Sequence, residues 1–518
     1  MRISTYEIVL PLIEQDGKTI KDYVLILNGL YGAADIVTLD DAEKLTGGRI
    51  EELSPEVKER LLLRGHLTKK EEEEELYDLR LLARIYKATL GKSNVGLVIM
   101  PTYDCNFRCP YCFERHRLSK GQNWLNQIMS RETIVATFSA LKDYRAKGYI
   151  LGSCTLYGGE PLLEKNVSVV REICLKAKEL GLIISAVTNA YDLESYFELL
   201  EEFKFERIQL TVDGAYEVND CRRKHKSGAP SYERLLQNAK LAMNHGVNVD
   251  LRVNVGRENL HGIKDLIDDL KARGFLNREQ KENQGRFSYY FKATTEDDNP
   301  QRAIKESDIM AELLRIGVSV KEAMLLQGQY SLYYEQFRKL LEKKSNPEFS
   351  PIFCGSEQGM LVIDPFGRIF SCWDSVAKEE DIVGITDNKT KRFLFNFNKA
   401  KWRTRTVDNM SACKNCPYVF ICRGGCGSRA LCEHGSYFRE SCGEVKEIFE
   451  FVAPRVACMY WSKKKERELS LSLAEPLSRL SDSDKERLMT SKSQKEIFDI
   501  SKKVGLLIIN EDLSAKNK

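Results

Sequence analysis

Three cysteines, Cys105, Cys109 and Cys112, stand in a C-x3-C-x2-C spacing within the stretch PTYDCNFRCPYCFE, Pro101 to Glu114. They directly follow the apolar run Val95 to Met100, which is short enough to be a buried strand. Three thiolates are therefore gathered on one tight loop at a strand end. A loop that offers three soft sulfur ligands and no fourth cysteine suits an iron-sulfur cluster with one iron left open to another ligand. A structural zinc site is the alternative, because His116 lies four residues after Cys112 and Cys3His is a legitimate zinc set.

A second cysteine field begins at Cys354. It reads C-x12-G-x4-C through Gly367 to Cys372, then Cys413-x2-Cys416-x5-Cys422-x3-Cys426, with Cys432 and Cys442 beyond. The segment DPFGRIFSC reads as a hairpin turn at Gly367 that delivers Cys372 at a strand end. Cysteines two to five residues apart converge readily on one metal centre, and this field can supply two. A zinc ribbon is the alternative. A third feature lies between the two fields: CTLYGGEP ends in Gly158, Gly159 and Glu160. Paired glycines at a strand end let the backbone approach a ligand closely, and the carboxylate can accept a hydrogen bond from an amine.

These groups need elements to hold them. From Gly96 onward, strand candidates alternate with helical stretches: Leu97 to Met100, Thr155 to Tyr157, Ile183 to Thr188, Arg207 to Val212, Val249 to Val255 and Phe287 to Lys292. The helical patterns between them are Ser130 to Ala146, Val167 to Leu180, Leu193 to Glu202, Tyr232 to Asn244 and Asn259 to Arg273. Six such repeats predict an α/β fold, a parallel sheet wrapped by helices in a partial (β/α)6 barrel. Functional loops then sit at the carboxyl ends of the strands, and the three-cysteine loop sits at the first. Ahead of it, residues 1–90 read as a small α+β domain. Its strands are TYEIVLPLIE and DYVLILN, and its helices Asp40 to Leu45 and Ser54 to Leu63, with Pro55 at a helix start.

The chain has 518 residues, more than one core supports, so several domains are expected. Charge is nearly balanced, 79 basic against 76 acidic residues, which gives no signal for nucleic acid. No secretory signal and no long apolar run predict a cytoplasmic protein with no membrane role. In that reducing compartment clustered cysteines read as ligands, while the isolated Cys154, Cys174, Cys221 and Cys458 read as packed small hydrophobes.

Residues 95 to about 292 resemble the core of a radical S-adenosylmethionine enzyme, with CNFRCPYC as its cluster motif and GGEP as its amino-binding motif. The resemblance implies cleavage of S-adenosylmethionine at a [4Fe-4S] cluster held by Cys105, Cys109 and Cys112, and hydrogen abstraction from a substrate. It also implies cofactor contacts from Tyr111, Gly158, Gly159, Glu160, Asn189, Asp213, Arg222, Arg252 and Asn254. The later cysteines resemble the SPASM extension of peptide-modifying members. That implies two auxiliary [4Fe-4S] clusters, three in all, one on Cys354, Cys372 and Cys426 and one on Cys413, Cys416, Cys422 and Cys442. Fully ligated relatives carry a further cysteine shortly before the position of Cys354, and none lies between Cys221 and Cys354 here, which implies a ligand other than cysteine or an open iron.

The expected organisation is residues 1–90 as a candidate leader-peptide domain, 91–300 as the radical core, 301–350 as a helical linker, 351–450 as the SPASM domain and 451–518 as a helix and tail. The expected partners are a ribosomal precursor peptide and an external one-electron donor of flavodoxin or ferredoxin type. The expected reaction is a crosslink, thioether or carbon-carbon. The alternatives are sulfatase-maturase-like oxidation of Cys or Ser and, from another class, a multi-cluster electron-transfer protein. Trp373 between Cys372 and Asp374 departs from the sulfatase-maturing pattern.

Overall fold

The computed structural model describes residues 1–90, 95–277, 284–294, 303–342, 350–464 and 467–506. It contains two compact units, one of residues 1–91, 329–354 and 404–518, the other of residues 92–328 and 355–403.

The first unit opens with an antiparallel meander, β1 (Glu7–Ile13), β2 (Thr19–Asn28) and β3 (Ala34–Thr38). Buried apolar residues alternate along β1 and run continuously through the second half of β2, as expected for a sheet covered by helices. Helix Pro55–Arg64 begins as its sequence predicts: the Ser54 side chain accepts from the Val57 N–H, Pro55 takes the first turn, and Gly65 closes the helix at φ +87°. Strand β3 was not foreseen. Its free edge is taken by the chain's own carboxyl-terminal segment: Asp35 bridges Glu468 antiparallel, Ile36 N–H donates to Arg467 O (2.7 Å) and Leu469 N–H to Ala34 O (2.8 Å). Helices Ala474–Ser478, Asp482–Thr490 and Gln494–Lys503 follow, where the sequence reads only as a polar tail, and Leu473, Leu477, Leu480 and Leu488 join Leu79 and Leu82 in one core. The apolar end of that tail, Leu507 to Asn510, lies outside the described residues.

The second unit is built on a ten-stranded sheet. Six parallel strands lie in sequence order from its centre to one edge: β4 (Val95–Ile99), β5 (Leu151–Leu156), β6 (Ile183–Thr188), β7 (Arg207–Thr211), β8 (Asn248–Val255) and β9 (Phe287–Ala293). They fall on the six expected runs, and helices intervene where expected. Helix Arg131–Ala146, for example, is capped by Ser130, whose side chain accepts from the Thr133 N–H. The sheet continues past β4 through β10 (Leu361–Ile363), parallel to it, and the antiparallel β11 (Arg368–Phe370), β12 (Gly384–Asp387) and β13 (Arg392–Phe395). β10 and β11 form the hairpin read from DPFGRIFSC, with Gly367 at φ +77°. Within the expected 301–350 helical linker, Glu306–Arg315 and Val320–Leu325 are separate helices because Gly317 adopts φ +87° between them, and Gly328–Leu341 follows, belonging from Gln329 onward to the first unit.

Candidate functional site

The three-cysteine loop leaves the carboxyl end of β4 and is pinned at once. Thr102 Oγ1 accepts from the Asp104 N–H (3.1 Å), and Asp104 Oδ1 accepts from the Cys105 N–H (2.9 Å). Lys165 and Lys226 both hold the Asp104 carboxylate, at 2.7 and 2.6 Å. Burial alone would raise that carboxyl, but the two ammonium groups outweigh it and hold it below its ordinary range. Cys105 Sγ accepts from the Phe107 N–H at 3.3 Å, and Asn189 Nδ2 lies 3.8 Å from the same sulfur. Burial pushes the Cys105 and Cys109 thiols up to about 11, while Arg117 beside Cys105 and Arg223 beside Cys109 draw them down. Cys105 lies within electrostatic reach of both Cys109 and Cys112.

Donors aimed at sulfur and flanking guanidinium groups suit thiolates, the ligand form of cysteine. Among the described residues, no three His, Cys, Asp or Glu side chains converge on one ion position. A cluster takes three thiolates from the protein and leaves one iron to another ligand, so a three-thiol donor set fits a cluster better than a four-ligand zinc site. His116 does not complete a zinc set on this loop: its Nε2 lies 3.0 Å from the Val376 carbonyl.

The glycine pair does something more specific than leave room for a ligand. Gly158 adopts φ +121°, and a Cβ on Gly159 would lie 2.1 Å from Asp104 O and 2.4 Å from Tyr103 O. The end of β5 is thus pressed against the backbone of the cysteine loop, an approach sealed by Glu160 N–H donating to Asp104 O at 2.8 Å. The Glu160 side chain is buried. It accepts from Thr188 Oγ1 (2.5 Å), Asn189 N–H (2.6 Å) and Leu162 N–H (2.9 Å), all neutral donors. Burial therefore wins and pushes its carboxyl up to about 7. A cation placed beside it would restore the carboxylate. Asn189, at the end of β6, ties that strand to the cysteine loop by donating to Asn106 Oδ1 at 2.7 Å.

Further round the strand ends, the Arg222 guanidinium is buried against Asp213 (3.3 Å) and Glu258, and sits 5.0 Å from the centre of the Tyr111 ring. Arg252 donates to Asn254 Oδ1 at 2.9 Å, and the Asn254 carbonyl accepts from Arg222. The sequence reading missed Arg223. It is the arginine that turns toward the cysteine loop, donating to the Tyr111 hydroxyl at 2.8 Å and lying over the Phe107 ring. In the run RRKHK only the strand pairing of this segment distinguishes the two arginines. Tyr157, also missed, interacts with both Cys112 and Cys372 and stacks on Trp373 at 5.8 Å. Cys154, Cys174 and Cys458 are buried as expected, whereas Cys221 is exposed, because it lies on the outer side of the short helix Glu217–Arg222.

In the first unit, Cys413, Cys416, Cys422 and Cys442 are brought together. Burial and mutual repulsion push Cys413 and Cys422 up to about 12, with Cys416 and Cys442 among the causes for each. Little regular structure supports them. The buried Arg405 guanidinium does, donating to four main-chain carbonyls: Tyr437 (2.6 Å), Gly424 and Gly425 (2.9 Å each) and Arg439 (3.0 Å). A Cβ on Gly425 would lie 1.8 Å from Ser441 O, so this loop closes only around glycine. Cys354, Cys426 and Cys432 also belong to this unit, and Cys372 to the other, at the end of β11.

Residues 99–270 match the Radical SAM superfamily. The chain is 24% identical over 384 residues to a cysteine-type anaerobic sulfatase-maturating enzyme of Clostridium novyi (strain NT), covering 69% of this chain and 95% of the relative. It is 21% identical over 356 residues to the radical SAM cyclopropyl synthase TigE of Paramaledivibacter caminithermalis, covering 66% and 70%. Its fold is similar to that of native anSMEcpe with bound AdoMet, with a TM-score of 0.51 and 18% identity over 71% of this chain and 100% of that one. No helix among the described residues is long and apolar enough to cross a membrane. With a three-thiol loop at the first strand end of a parallel sheet and this match across it, residues 99–270 are similar to the Radical SAM superfamily, and the chain is an enzyme.

Proposed function

We propose that the protein is a peptide maturase that uses S-adenosylmethionine to abstract hydrogen from a ribosomally made peptide and so forms a thioether or carbon-carbon crosslink. The observation that carries this reading is the gathering of Cys105, Cys109 and Cys112 at one strand end, with the β5 end pressed on the loop and a desolvated Glu160 at its side. When bound there, a [4Fe-4S] cluster supplies the electron that splits S-adenosylmethionine into methionine and a hydrogen-abstracting 5'-deoxyadenosyl radical. Cys105, Cys109 and Cys112 would hold the cluster. Glu160 would take the methionyl ammonium, the one partner type its neutral donors do not provide. Arg223 and Tyr111 would line the opposite side.

The second thiol group supports a maturase over a minimal radical enzyme, since four further coupled cysteines suit an auxiliary cluster. A cluster on Cys354, Cys372 and Cys426 belongs to the same proposal, as does leader recognition by residues 1–90. The β3 edge is already paired with Arg467–Ser470, so the leader is gripped by another route.

A second reading, oxidation of a cysteine or serine in a sulfatase, is favoured by one observation: the Clostridium novyi relative bears that activity in its name and aligns along 95% of its length. Anaerobic reconstitution with iron and sulfide, reduction by dithionite and addition of S-adenosylmethionine tests the shared step. 5'-Deoxyadenosine is expected, and its absence would sink both readings. Adding short peptides encoded beside this gene, or a cysteine-bearing sulfatase peptide, then separates them. Hydrogen loss with a new crosslink in tandem mass spectra supports the first reading, and an aldehyde the second.

A further inference from the structure

The amino-terminal meander reaches the second thiol group directly. Tyr6, buried in the turn before β1, donates its hydroxyl hydrogen to the Lys414 carbonyl, although 408 residues separate the two. Beside it, Gly29 meets Pro417 backbone to backbone, since a Cβ on Gly29 would lie 1.7 Å from Pro417 O. The Gly29 N–H in turn donates to Tyr6 O at 2.9 Å, so both contacts come from one corner of the domain. They bracket Cys416, with Lys414 before it and Pro417 after it. Tyr6, Leu30 and Tyr31 also share one buried apolar cluster with Met410, Cys413 and Phe420.

What Tyr6 holds is the middle of a turn. The Cys416 N–H donates to Cys413 O at 3.3 Å and closes the four residues Cys413-Lys414-Asn415-Cys416. Lys414 has φ −60° and ψ −38°, as the second residue of a type I turn does, and Asn415 is not among the residues at positive φ. A type II turn keeps the same closing bond but flips the central peptide, which sends the Lys414 carbonyl to the other side and puts Asn415 at positive φ. Asparagine is one of the few residues that tolerate that conformation, so the local sequence leaves both turns open. The Tyr6 hydroxyl can be bonded in only one of them. Its own place is fixed by Ser4, whose Oγ accepts from the Tyr6 N–H at 3.3 Å and donates to the buried Glu75 at 2.5 Å.

We infer that Tyr6 is a positioning residue for the second thiol group: its hydroxyl selects the type I turn and so holds the loop between Cys413 and Cys416 in a single conformation. The amino-terminal domain then shapes a ligand loop, whatever peptide it also grips. The inference rests on the reading of Cys413, Cys416, Cys422 and Cys442 as metal ligands, and the two are separable by experiment.

The test uses the full-length protein with Tyr6→Phe, which keeps the ring and removes only the hydroxyl, and with Asn415→Val, whose β-branched side chain disfavours positive φ and so closes the route to the type II turn. Asn415 is exposed, so the second change disturbs no packing. Tyr31→Phe is the control, because it removes a neighbouring buried hydroxyl that is bonded instead to Asp78 at 2.6 Å. Two rates are read. One is alkylation of Cys416 by iodoacetamide in iron-free protein, followed by peptide mass spectrometry. The other is release of iron to a chelator from reconstituted protein that also carries Cys105→Ala, Cys109→Ala and Cys112→Ala. Tyr6→Phe should speed the alkylation, and the release of one cluster's worth of iron, roughly fivefold, the worth of one hydrogen bond. Asn415→Val alone and Tyr31→Phe should match the wild type, and Tyr6→Phe/Asn415→Val should return to it. Wild-type rates in Tyr6→Phe, an equal rise in Tyr31→Phe, or failure of Asn415→Val to rescue would each overturn the inference. If the alkylation rates behave as expected but the triple-alanine protein holds no iron, the positioning role stands and the metal reading of the second thiol group falls.

Discussion

The two cysteine regions solve one problem in opposite ways. Cys105, Cys109 and Cys112 hang from a regular sheet: β4 delivers them, β5 is pressed against them through Gly159, and β6 reaches them through Asn189. Cys413, Cys416, Cys422 and Cys442 hang from short helical turns, Ser411–Cys413 and Val419–Cys422, and the loops beside them, and Arg405 spans those loops by bonding four carbonyls. The first arrangement leaves backbone and side chains free to meet a cofactor. The second uses a buried cation both to join its loops and to draw the Cys422 thiol down, which suits a closed site whose ligands are all protein.

The largest test of this contrast replaces Cys105, Cys109 and Cys112 together by alanine. One cluster's worth of iron and all S-adenosylmethionine cleavage should disappear, with the other iron retained. Loss of all iron would show the two regions to be interdependent. Next in size is Arg405→Met, which leaves four carbonyls without their buried donor and should cost on the order of 3–5 kcal/mol of stability. Denaturant unfolding and iron analysis check it: the second region should lose metal while the first loop keeps its own.

A matched pair of glycine changes sharpens the comparison. Gly159→Ala should leave iron content intact and slow cleavage roughly a hundredfold, because the new Cβ displaces the β5 end from the cysteine loop. Gly425→Ala should show instead as lower stability and poor iron loading, since it forces open the loop at Ser441. If both variants merely unfold, the assignment of one glycine to chemistry and the other to architecture fails.

The smallest effect lies away from both regions. His66 is buried between Glu7 and Asp35, at 2.7 and 2.6 Å. Burial acts to lower its pKa, but the two carboxylates outweigh it and hold it up at about 9. Its folded pKa thus exceeds the ordinary 6.5, so its contribution to stability is complete below about 6.5 and is lost as pH rises through about 9. The melting temperature should fall over that window more steeply in the wild type than in His66→Gln.

Six strands of the sheet were legible because each is an apolar run followed by a helical pattern, and the chain repeats that alternation. The hairpin of β10 and β11 was legible from its turn at Gly367, but its place in the sheet was not, because β10 joins by pairing with β4, more than 250 residues earlier in the chain. The closeness of Cys105 to Cys109 and Cys112, and of Cys413 to Cys416, Cys422 and Cys442, was legible from spacing. Arg405 was not, because its partners are main-chain carbonyls and carry no residue signature. Arg222 was singled out where Arg223 faces the cysteine loop, because a run of basic residues does not reveal which side chain a strand pairing turns inward. Cys221 was misplaced for the same reason on a short helix.

The pairing of Arg467–Ser470 with β3 has a consequence for synthesis. The meander at the amino terminus is made first, yet the strand that covers its edge and the leucines that complete its core emerge some four hundred residues later. Until then an open strand edge waits on the nascent chain, the kind of surface that invites pairing with other chains. A ribosome that stalls or terminates before residue 467 releases a protein that carries every cysteine discussed here but cannot close its first domain.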